Sequence, residues 1–102
     1  MDREEFKQKL INHSMNCHLN CTEDGNIIFL DLNLSYDIFN FNHEDYFEIN
    51  DNTQLYPKKP HVKCYDFSTL SLINCMRLAS YWGEWLKQRK MNRKLSKIQE
   101  DF

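Results

Sequence analysis

Glycine and proline are scarce in this chain, two of each in 102 residues, and alanine and valine occur once each. A phosphate-cradling loop or a dinucleotide fingerprint needs several glycines within a few positions, so both are excluded. No apolar run approaches the ~18 residues that would cross a bilayer. The opening Met1-Asp2-Arg3-Glu4-Glu5 is too charged for a secretory leader. A cytoplasmic location is therefore expected, with the four cysteines reduced.

Aromatics, by contrast, are plentiful: seven Phe, five Tyr and two Trp. They supply a core for one domain, which at this length buries roughly 60–70% of its unfolded surface. Eleven asparagines point to an AT-rich coding source such as a phage, a large DNA virus or a protozoan. The net charge of −2 hides a separation. Residues 1–53 carry eleven acidic and three basic side chains, whereas residues 54–102 carry four acidic and ten basic. Each half can steer a partner of opposite sign.

The organising stretch runs from Ile28 to Ile38. Ile28, Leu30, Leu32, Leu34, Tyr36 and Ile38 alternate with Phe29, Asp31, Asn33, Ser35 and Asp37. This period of two predicts a strand over 27–38 with an apolar face inward and a polar face in water. The apolar row changes parity at Ile38-Phe39-Phe41, which predicts a bulge or turn there. Upstream, Asp2 caps a helix over about 3–13, with Phe6, Leu10 and Ile11 inward and Glu5 paired to Lys9 outside. Met15, Cys17, Leu19 and Cys21 alternate as a first strand, and Glu23-Asp24-Gly25-Asn26 turns it into the second. Tyr46–Ile49 and Val62–Phe67 read as two further strands. Ser68 or Thr69 then caps a long helix in which Leu72, Met76, Ala79, Trp82 and Leu86 face the core. Gly83 loosens it, at a cost of about 1 kcal/mol against Ala. The expected fold is α+β, a two-layer four-stranded antiparallel meander between an N-terminal and a long C-terminal helix, in the order α-β-β-β-β-α. Residues 1–90 form one compact domain, and 91–102 a basic amphipathic helical extension.

Little in the chain suggests chemistry. Cys17 and Cys21, with His18, His61 and Cys64, lack paired ligand spacing, and neighbours along the predicted strands face opposite ways. They read as small buried hydrophobes, so no metal and no cofactor is expected. No nucleophile elbow or paired acid–base carboxylates occur, and no catalytic residue is assigned.

Two charged surfaces remain. On the polar side of the organising strand and the loops after it, Asp31, Asp37, Glu44 and Asp45 form an acidic face suited to a basic protein that handles nucleic acid. In size, composition and lack of motifs the chain resembles small phage-encoded inhibitors, including anti-CRISPR proteins, which implies a non-enzymatic inhibitor or regulator with a protein partner. The second surface is the tail. Lys87 to Lys97 holds six basic residues and no acidic one. Arg89, Lys90, Arg93, Lys94 and Lys97, with Trp85 before them, would contact nucleic acid, while Met91, Leu95 and Ile98 offer a stripe for a homodimer. Finally, Glu48-Ile49 followed by Tyr56-Pro57-Lys58-Lys59-Pro60-His61-Val62 is similar to the Tyr-Pro turn of ubiquitin-conjugating and RWD-type domains. The catalytic His-Pro-Asn and cysteine segment is missing, so that resemblance implies a non-catalytic protein-interaction module.

Overall fold

A computed structural model describes residues 1–30, 36–50 and 62–100, with side chains described as far as Asn92. Helix α1 spans Arg3–Asn16, and Asp2 caps it by accepting from the Glu5 backbone N–H at 2.8 Å. Such a cap stabilises a helix by about 1 kcal/mol. Glu5 and Lys9 pair on its exposed side at 3.1 Å, while Phe6, Leu10 and Ile11 are buried. The helix continues past the expected end at residue 13. It closes in a Schellman turn, with the Leu19 N–H on the Ser14 carbonyl and the His18 N–H on that of Met15. His18 takes the left-handed position at φ 65°, which a glycine would occupy without strain. Met15 and Cys17 therefore belong to the helix and its cap, not to a strand, and Met15 is exposed.

Among the described residues five antiparallel strands follow, paired in sequence order: β1 Asn20–Cys21, β2 Ile27–Phe29, β3 Asp37–Asn40, β4 Phe47–Ile49 and β5 Val62–Cys64. The α+β meander stands, with one strand more than expected. The extra strand arises because the organising stretch is divided between β2 and β3, which pair with each other. A single twelve-residue strand would run about 40 Å, longer than the domain's two short dimensions of 28 and 25 Å. Splitting the stretch keeps Ile28 and Leu30 on the same inner face as Ile38. The expected parity change is there as a bulge. Ile28 pairs with Phe39 and Phe29 with Asp37, so Ile38 is the additional residue, and Ile38 and Phe39 are both fully buried.

The β1–β2 connection turns at Gly25, φ 70°. Asp24 holds it by accepting from the Thr22 hydroxyl at 2.5 Å and the Asn26 backbone N–H at 3.1 Å. These hydrogen bonds, Thr22's first, keep the Asp24 carboxyl below its usual range. Lys7, buried on α1, reaches the same turn and donates to Asn26 Oδ1 at 2.6 Å.

Helix α2 spans Thr69–Glu100 and begins where Ser68 Oγ accepts from the Ser71 N–H. Leu72, Cys75, Ala79, Trp82 and Leu86 are buried in the same core as the inner sheet residues, with Met76 half-buried beside them. Under α1 that core is four phenylalanines: Phe6 stands 5.1 Å from Phe47 and 5.4 Å from Phe67, and Phe41 stacks on Phe47 at 5.0 Å. Its other end is Trp82, 5.2 Å from Tyr36. The two helices cross at Gly83, where an added Cβ would lie 2.4 Å from the Cys17 carbonyl oxygen. Gly83 thus permits the crossing, a role its position in the sequence does not reveal.

Candidate macromolecule-binding surface

The sequence points to two sets of partner-contacting side chains, and the structure treats them differently. Of the acidic set, Asp31 lies outside the described residues. Asp37 sits on β3, half-buried, in an outward row with Asn20 and Phe29. The neighbouring outward row reads Ile27, Asn40, Glu48, Lys63, so Glu48 has Lys63 directly across from it. Glu48 also meets His43 Nε2 at 3.0 Å. Glu44 and Asp45 are exposed in the bend between β3 and β4, to which Arg3 is tied through the carbonyls of Phe41 and His43. The described outer face is thus mixed in charge and partly apolar, and a continuous carboxylate row is not assembled on it.

The basic set belongs to one continuous helix. Its last buried side chain among those described is Leu86, and α2 passes the expected domain boundary at 90/91 without a break. Lys87, Gln88, Lys90, Met91 and Asn92 are exposed and Arg89 is half-buried. A helix of 32 residues measures about 48 Å, which accounts for most of the molecule's 55 Å long axis. Arg93, Lys94, Leu95, Lys97 and Ile98 lie on this helix, beyond the described side chains. Trp85 is half-buried and carries the Arg89 guanidinium 5.3 Å above its ring. Trp82 is the core tryptophan, as the helical spacing implies.

Two clusters went unread in the sequence. On the outer face of β4 and β5, Tyr46 stacks on His43 at 4.4 Å, approaches Tyr65 at 5.3 Å, and lies under the Lys63 ammonium at 4.9 Å. At the helix crossing, His13 Nε2 lies 3.0 Å from the Met76 carbonyl, 2.9 Å from Ser80 Oγ and 3.6 Å from Cys17 Sγ. The signal for the latter was the four-residue spacing of His13 and Cys17, which places them on one helix face. The alternation of Met15, Cys17, Leu19 and Cys21, which reads as a strand, hides it. A carbonyl only accepts, so the bond to Met76 requires a proton on Nε2. In that tautomer Nε2 has no lone pair to take a proton from the Cys17 thiol, so the pair is not arranged as a nucleophile and its base.

All four cysteines are free thiols. Burial raises the Cys21 pKa, with the Asp24 charge adding to the shift and Lys7 opposing it. Among the described residues no group of three or more His, Cys, Asp or Glu side chains could hold a metal ion. His61 and the Tyr56-Pro57 run fall outside them. No described helix is long and apolar enough to cross a membrane. A groove of about 460 Å³ runs between α2 and Ile49 of β4, lined by Ser71, Asn74, Cys75, Arg77 and Leu78. No protein-family model, curated protein or solved structure matches the chain.

Proposed function

We propose that this is a non-enzymatic binding protein that holds a nucleic-acid backbone on the basic arm of α2. The observation that carries this reading is the departure of the helix from its own core. Among the described side chains of α2 the last buried one is Leu86, yet the helix runs on to Glu100, and the eleven residues after Leu86 include six cations and no anion. From Lys87 to Asn92 no described side chain is buried, so packing does not dictate the sequence of these turns. Like charges on adjacent turns repel one another, so their concentration is favourable when a polyanion neutralises them. Phosphates also release counterions on contact with Lys and Arg, which supplies most of the free energy of such binding. The acidic first half of the chain confines the attraction to one end of the molecule and keeps the remainder from sticking to the same strand.

The test is fluorescence anisotropy with labelled oligonucleotides across a salt series. Six phosphate contacts predict a log–log slope of about −4 on a single strand, and the double variant Lys87→Glu/Lys90→Glu should flatten it. Absence of binding at 50 mM salt, or binding indifferent to salt, defeats the reading.

A further inference from the structure

Building on the nucleic-acid reading, we infer that the strand held by the arm is single, and that Tyr81, Trp85 and Arg89 form a strip on which its bases stack. The three residues follow one another at intervals of four along α2, so they lie on successive turns of one face. They occupy the root of the arm, where the helix leaves the core. Both outer rings pack against buried Trp82. Tyr81 meets it edge to face at 5.4 Å and 78°, and Trp85 at 5.5 Å and 81°. Held this way the rings retain little rotational freedom, so a base that stacks on them loses less entropy on binding. Tyr81 remains 46% exposed although it adjoins the core. Arg89 lies over Trp85 at 5.3 Å, a planar cation resting on an aromatic face, and extends the strip one turn further along α2.

Spacing selects the strand state. Positions four apart on a helix are separated by about 6 Å along its axis. Successive bases of a duplex strand are only about 3.4 Å apart and cover each other's faces. Bases that meet both Tyr81 and Trp85 must therefore be unstacked, a condition that a single strand meets and a duplex does not. The combination of flat apolar faces with adjacent cations matches a chain that alternates bases and phosphates. A second copy of this arm matches it poorly, since six positive charges would face six others.

The experiment compares an oligothymidylate 12-mer with a 12-base-pair duplex on the full chain, reading anisotropy and tryptophan fluorescence. The single strand should bind at least 10-fold more tightly and quench the emission. Tyr81→Ala and Trp85→Ala should each weaken single-strand binding about 5- to 150-fold, the range for loss of one stacked base. The salt slope should not change, because neither ring carries charge. Trp85→Phe, which keeps a face to stack on, should retain most of the affinity, and circular dichroism verifies that the helix persists. Tyr81→Ala removes an exposed ring, so its result stands even where Trp85→Ala is destabilised. Equal or tighter duplex binding, or single-strand affinity untouched by Tyr81→Ala, overturns the stacking strip while the salt-dependent arm survives. Failure of both oligonucleotides to bind removes the arm reading and this inference together.

Discussion

The two halves of α2 share one backbone and obey different rules. From Thr69 to Leu86 the helix has an inner face whose members, Leu72, Cys75, Ala79, Trp82 and Leu86, are each at most 4% exposed. From Lys87 to Asn92 no described side chain is buried. The inner half exists because it closes the core. The outer half inherits its helical state from the inner one, since extending a nucleated helix adds one hydrogen bond per residue fixed. Its composition is thus available for contacts with other molecules. The lesson is that helical periodicity locates a helix without stating where its packing ends.

Three substitutions break or sharpen this contrast. The largest effect is expected at Trp82, whose ring joins Tyr36, Tyr81 and Trp85. Trp82→Ala should lower the unfolding free energy by about 3–5 kcal/mol in urea titrations. A loss below about 1 kcal/mol would mean that the inner half does not depend on its core face. Next comes Gly83→Ala. In an exposed helix this change is worth about 1 kcal/mol of added stability. Here the new methyl would strike the Cys17 carbonyl and Cβ, and the chain should instead lose about 1–3 kcal/mol. A raised melting temperature would show that α1 does not cross there. The smallest effect has the opposite sign. His18→Gly relieves the left-handed backbone at the end of α1, and thermal melts should register a gain of about 1 kcal/mol. No gain would indicate that the imidazole makes a compensating contact near the crossing.

Much of the architecture was legible because local chemistry and tertiary packing agree. Asp2 and Ser68 cap the helices as their side chains allow, Gly25 supplies the positive φ of a turn, and the row from Leu72 to Leu86 faces inward. The division of the organising stretch was not legible from periodicity. Ile28 and Ile38 keep the same parity although they belong to different strands, and no glycine or proline separates them. Its length was the available warning, since strands average five or six residues. The end of α1 is obscured in the sequence for a related reason. Met15, Cys17, Leu19 and Cys21 alternate in sequence, but the helix ends in a turn at His18 whose hydrogen bonds carry no residue signature of their own. Of the candidate surface, the positive charge could be counted in the sequence. The stack of Arg89 on Trp85 and the packing of both outer rings on Trp82 depend on three-dimensional placement.

The outermost strands of the sheet bear on how the protein behaves at high concentration. β1 has two residues and β5 three, with Lys63 at the centre of β5. Borders so brief, one of them centred on a lysine, give a neighbouring molecule little template along which to continue the ladder. The described sheet thus discourages fibre growth through the shortness of its own edges.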